Sequence, residues 1–186
     1  MARRSYGKLV AFLAAAMHDV AAAEDALSEA FAAALADWPR NGCPANPEAW
    51  LLTVARRKGV DRFRHHRHGE AVALQLQVLA EIGGSASAEG DDTVIPDRRL
   101  ALLFACAHPA IDAGIRAPLM LQAVLGLDAK AIAAAFLASP VAMSKRLGRA
   151  KQKIRQAGIP FVVPTRDELA GRLDGVLEAI YAAFAE

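Results

Sequence analysis

Residues 128–156 read DAKAIAAAFLASPVAMSKRLGRAKQKIRQ, and this stretch decides the fold. Asp128 is a capping residue ahead of an alanine-rich run, which predicts a short helix through Phe136. Leu137-Ala138-Ser139 then forms a turn. Ser139 is a second capping residue, and Pro140 takes the first helical position, where its missing N–H is no loss. The helix that starts there is expected to reach Gln156, with Gly158 ending it. Met143, Leu147, Ala150 and Ile154 share one side of it at helical spacing. Lys145, Arg146, Arg149 and Lys153 fall on the opposite side, and Lys151 adds to the charge.

An apolar stripe that docks on helices behind it, with a basic face left outward, suits a helix laid in the DNA major groove. There Arg and Lys reach phosphates and guanine edges. Ser139 and Ser144, near the helix N-terminus, are candidates for a phosphate or base contact. A merely solvated basic helix would show the same face. The capped short helix and three-residue turn before it favour a helix-turn-helix.

Helical spacing dominates the rest of the chain, and no segment alternates as a strand. Downstream, Thr165-x-x-Glu168 is a capping box for a last helix. Upstream, helices are expected over about 97–107 and 111–124, the second closed by Gly126. The run GGSASAEGDD at 83–92 reads as a flexible linker, with a further helix expected over 69–82. Three more helices precede it. One lies near 5–17, and one runs from a capping Asp19 to Trp38, where Pro39, Gly42 and Pro44 should break it. The third runs from Asn46-Pro47-Glu48 to about Arg67. The expected fold is all-α, with two small helical domains at 1–68 and 96–158. Residues 69–95 link them and 159–186 open a C-terminal extension.

Charge is distributed in blocks. Residues 19–37 hold Asp19, Glu24, Asp25, Glu29 and Asp37 and no Lys or Arg. By itself that helix reads as a solvated face. Leu27, Phe31, Leu35 and Trp38 follow helical spacing as an apolar stripe, with Glu24, Asp25, Ser28 and Glu29 mostly elsewhere. As a docking surface the helix would present Asp25 and Glu29 one turn apart, flanked by Leu27 and Phe31. The helix from Pro47 carries Leu51, Leu52, Ala55, Gly59 and Phe63 on one side and Arg56, Arg57, Arg64 and Arg67 broadly on the other. Lys58 and Arg62 add to that charge, against Asp61 alone. Such a one-signed face calls for an anion. Trp50 near its start suits an unstacked nucleic-acid base, and equally a core position.

Several classes are excluded or disfavoured. With 186 residues, 54% apolar and only 6% aromatic, two thin cores fit better than one large core. A net charge of +2 decides nothing alone. Cys43 and Cys106 make no disulfide framework. No stretch is long and apolar enough for a bilayer, and Met-Ala-Arg-Arg opens no secretory leader, so a cytoplasmic protein without membrane contact is expected. His65, His66 and His68, and Cys106-x-His108, lack structural-zinc spacing, so neither metal nor cofactor is expected. No nucleophile elbow or phosphate-binding glycine loop is present, and no enzymatic activity is expected.

Taken together, the motifs resemble the sigma-70 family, in its extracytoplasmic-function (ECF) group, over nearly the whole chain. Ala23-Glu24-Asp25-Ala26-Leu27-Ser28-Glu29-Ala30-Phe31 is similar to the family's polymerase-binding helix, with Ser28 where Gln is common. Trp50-Leu51-Leu52-Thr53-Val54-Ala55-Arg56-Arg57, then Asp61-Arg62, resembles its promoter-melting, minus-ten helix. Gly126-Leu127, Ile132-Ala133, Ser139, Val141, Lys145-Arg146-Leu147 and Arg149-Ala150-Lys151 resemble its minus-thirty-five helix-turn-helix. There Phe136-Leu137-Ala138 replaces the usual Leu-Gly turn. His108-Pro109-Ala110 and Ala157–Pro164 resemble a subgroup with an extra C-terminal domain of tetratricopeptide type.

The resemblance implies a sigma factor that docks on the clamp helices of the largest subunit of core RNA polymerase and binds promoter DNA. Glu24, Asp25, Leu27, Ser28, Glu29 and Phe31 would meet polymerase. Trp50, Arg56, Arg57, Lys58, Arg62, Arg64 and Arg67 would meet the minus-ten strand, with Asn41 and Asn46 beside a flipped base. It also implies control by an anti-sigma protein or by the C-terminal extension. Two other readings stay open: a helix-turn-helix regulator that works without polymerase, and a helical module whose basic faces bind an acidic partner.

Overall fold

The computed structural model describes residues 2–66 and 95–184, with side chains over 5–59 and 95–183. The described residues form eight helices and no strand, as the all-α expectation requires. They are α1 (Ala2–Met17), α2 (Val20–Asn41), α3 (Pro47–His66), α4 (Arg99–Cys106), α5 (Ala113–Leu125), α6 (Ala129–Ala135), α7 (Pro140–Gln156) and α8 (Arg166–Phe184). The expected helix at 69–82 and the linker at 83–92 lie outside the described residues. The chain divides into two compact units, one of residues 1–21 and 97–186 and one of residues 22–96.

In the first unit α5 is the central element, packed against α1, α4, α6, α7 and α8. Its sequence explains that position. Ile115, Ala117, Leu119, Met120, Leu121 and Ala123 are all buried, so it is apolar nearly all round and must be surrounded. α1 is likewise covered nearly all round from Leu9 to Ala14, and α4 buries Leu102, Phe104, Ala105 and Cys106, while α6 contributes Ile132 and Ala133 and α8 Val176 and Ala179. α1, grouped by the sequence reading with α2 and α3, packs on α4 and α5. Glycine makes that approach possible. A Cβ at Gly7 would lie 1.9 Å from the Val124 carbonyl oxygen, and one at Gly126 would lie 2.8 Å from the Tyr6 ring. His18, with φ of 53°, turns the chain out of α1 and sets its ring edge-on to Phe161 at 6.5 Å.

In the second unit Ala23, Ala26, Leu27, Ala30 and Ala34 of α2 and Leu51, Leu52 and Ala55 of α3 are buried. Trp38 and Trp50 meet edge to face, 5.5 Å between centroids at 63°. Two expectations are corrected here. The buried face of α2 is the alanine face, and Leu35, expected in the stripe, is 79% exposed. Alanine is apolar on every side of this helix, so the larger residues alone do not select the buried face. Nor does Pro39 break α2, which continues to Asn41. A proline in the last turn forfeits a single bond, to the carbonyl of the exposed Leu35, which water can replace. Gly42 ends the helix instead, at φ +85°, its N–H donating to the Trp38 carbonyl at 2.9 Å.

Candidate nucleic-acid interface

The two local signals at 128–140 fold as their chemistry dictates. The Asp128 carboxylate accepts the Ala131 N–H at 2.7 Å, and the Ser139 hydroxyl accepts the Ala142 N–H at 3.1 Å. Each satisfies an N–H that a helix start would otherwise leave bare. Between them the chain reverses tightly. The Ala138 N–H donates to the Ala133 carbonyl at 2.8 Å and the Leu137 N–H to Ala134 at 3.3 Å. That paired closure needs a left-handed residue, which is Leu137 at φ +51°. The residue that replaces the usual glycine thus adopts the glycine conformation, with its side chain 98% exposed.

On α7, Met143, Leu147, Ala150 and Ile154 are buried, which is the stripe read from the sequence. Ser139, Ser144, Lys145, Arg149 and Lys153 are exposed, and Lys151 is half-buried. A shallow groove of about 320 Å³ lies beside the helix, lined in part by Ile111, Asp112, Arg146, Arg149 and Lys153.

Two further arginines of α7 are exposed and also bond within the protein. Arg146 donates through Nη2 to the Gly114 carbonyl at 3.1 Å and stands 3.8 Å from the Asp112 carboxylate. Arg155 donates to the buried Asp19 carboxylate at 3.3 Å. Behind α7, Arg116 holds the loop after α4 through the Ile111 and Pro109 carbonyls, at 2.9 and 3.3 Å. His108 in that loop accepts the Ala110 N–H through Nδ1 at 3.1 Å. Burial, then the Arg172 charge, keep its imidazole below the usual pKa, with Arg116 adding to this and Glu168 opposing.

In the second unit the Asn46 side chain caps α3, its Oδ1 accepting the Ala49 N–H at 3.1 Å. Asn41 donates to Asp37 at 2.7 Å. Both asparagines are exposed and flank the loop at 42–46, and the half-buried Trp50 follows one turn later. Arg57 and Lys58 are exposed. Arg56, expected on the outward face, is half-buried, and desolvation lowers its pKa. The side chains of Arg62 and Arg64, and all of Arg67, lie outside the described residues, as do the side chains of His65 and His66 and all of His68.

On α2, Asp25 and Ser28 are exposed, and Glu24, Glu29 and Phe31 are half-buried. Leu27, expected on the docking surface, is wholly buried. Its place outside is taken by Leu35, which shares a face with Asp25, Ser28 and Ala32, all exposed. Sequence spacing alone gave Leu35 the opposite role. The edge-to-face Trp38 partner of Trp50 was also absent from the sequence-derived site. No group of three His, Cys, Asp or Glu side chains could hold a metal ion among the described residues, and no described helix is long and apolar enough to cross a membrane.

Comparison with known proteins bears on these surfaces. Residues 1–69 match the family model of sigma-70 region 2. Over 167 residues the chain is 39% identical to an uncharacterised protein of Rhizobium meliloti (strain 1021), covering 88% of this chain and 39% of that protein. Over 165 residues it is 30% identical to a protein named "Probable RNA polymerase sigma factor RfaY" of Xanthomonas campestris pv. campestris, covering 82% of this chain and 40% of that one. The chain thus spans about two fifths of the length of these relatives. No solved structure matches it significantly. The region 2 match lies over the segment that holds the acidic helix and the tryptophan-led basic helix, so that segment resembles sigma-70 region 2, and the chain is similar over most of its length to a protein named as a probable sigma factor.

Proposed function

We propose that this chain is the promoter-recognition part of a sigma factor of the ECF type, which binds core RNA polymerase and directs initiation at specific promoters. The observation that carries the reading is α7, a doubly capped unit's second helix with four buried apolar residues and Lys145, Arg149 and Lys153 exposed. It supports insertion in the major groove at a minus-thirty-five element, with Ser139 and Ser144 near the helix start. Arg57 and Lys58, with Trp50 behind the capped loop at 42–46, support a minus-ten single-strand role, in which Asn41 and Asn46 edge a flipped base. The exposed Asp25, Ser28 and Leu35 and the half-buried Glu29 support docking of α2 on the clamp helices of polymerase.

Separate substitutions test the assignment. Arg149→Ala is expected to weaken binding to an upstream duplex about tenfold, the size of one lost contact, and leave core-enzyme binding unchanged. Asp25→Ala with Glu29→Ala is expected to do the reverse. Equal losses in both assays, or unchanged core affinity in the acidic double variant, would contradict the roles. Duplex binding without any core binding would instead favour a free-standing regulator.

A further inference from the structure

Arg146 sits among the basic residues of α7 and keeps 45% of its side chain exposed, yet its guanidinium also bonds to the start of α5, where three features receive it. Pro118 has no N–H, so the Gly114 carbonyl four residues earlier loses its helical donor. Arg146 Nη2 occupies that carbonyl at 3.1 Å. Gly114 has no side chain to obstruct it, since a Cβ there would stand 3.3 Å from Nη2. Asp112 is the N-cap residue of α5 but makes no side-chain capping bond. Its carboxylate stands 3.8 Å from the guanidinium instead. A proline, a glycine and an acid within seven residues thus converge on one arginine 32 positions later in the chain.

From this we infer that Arg146 is a positioning residue. It braces the reading helix against the start of α5 and so fixes the angle at which Lys145 and Arg149 are presented to the duplex. It makes no phosphate or base contact of its own. The inference rests on the proposal that α7 reads duplex DNA, and it removes Arg146 from the contacts expected from sequence. Its neighbour one turn on, Arg149, is exposed and lines the same groove, with no comparable backbone anchor among the described contacts.

Salt dependence separates a brace from a contact. A residue that neutralises a phosphate contributes about 0.9 to the slope of log affinity against log salt, and one that only positions others contributes nothing. The probe is a duplex enriched by the wild-type chain from a randomised library, compared with a scrambled duplex. For Arg146→Ala the expected result is an unchanged slope and about a tenfold loss of discrimination between the duplexes. Arg149→Ala should lower the slope by about 0.9. Asp112→Asn, which keeps the arginine, should lose part of the discrimination at unchanged slope. Adding it to Arg146→Ala should cost nothing more.

A slope shallower by about 0.9 in Arg146→Ala would make it a phosphate contact and overturn the brace. So would full discrimination at a lowered melting temperature, which marks a residue that matters to folding alone. A wild-type chain that enriches no sequence would remove the duplex-reading proposal and this inference with it. The wild-type experiment therefore separates failure of that proposal from failure of the brace.

Discussion

At the residue scale, Leu137 is the most telling position. A side chain in the left-handed region costs about 1–2 kcal/mol, and this one is 98% exposed, so no packing offsets the cost. Leu137→Gly is therefore expected to stabilise the first unit by about 0.5–1 kcal/mol, after the extra freedom glycine gives the unfolded chain. Chemical denaturation measures it, and a loss of stability would mean that the turn is not closed as described. The sequence revealed that a glycine was missing, but not whether the turn had changed. Closure is decided by the bonds to Ala133 and Ala134, and those do not depend on the side chain at 137. Arg146 shows the converse. Its spacing placed it on the basic face, where it is exposed, but spacing is silent on a long side chain that also reaches an acceptor 32 residues away.

At the scale of elements, caps and stripes were legible because they are local. Asp128, Ser139 and Asn46 each bond an N–H three residues on, and the α7 stripe needs only a 3.6-residue period. The buried face of α2 was not legible. In a helix with so many alanines the apolar period has no single phase, and the choice falls to tertiary packing, which buries Leu27 and exposes Leu35. The glycine in α1 was equally silent. By helix propensity, Gly7→Ala should gain about 1 kcal/mol. The Val124 carbonyl stands 1.9 Å from where that methyl would be, so a net loss of about 1–3 kcal/mol is expected. Thermal unfolding of the variant decides between them, since a rise in melting temperature would show that α1 does not cross α5 so closely.

At the scale of the molecule, the all-helical class followed from composition and periodicity, while the grouping of helices did not. Nothing local in α1 says that its apolar residues Leu9, Val10 and Leu13 belong with α4 and α5, because helix-to-helix pairing is a property of the assembled unit. The charge pattern carries further. If the exposed basic residues of α3 and α7 together neutralise about six phosphates, affinity for promoter DNA should fall with log salt at a slope near −5. A slope near −2 in a salt titration would leave one of the two helices off the DNA.

The most direct test of the sigma-factor account is run-off transcription by bacterial core RNA polymerase on fragments of the source genome, with and without this chain. The account predicts discrete transcripts that appear only when the chain is added and disappear with Asp25→Ala and Glu29→Ala. Identical transcripts in its presence and absence, with core enzyme shown to be active, would contradict it.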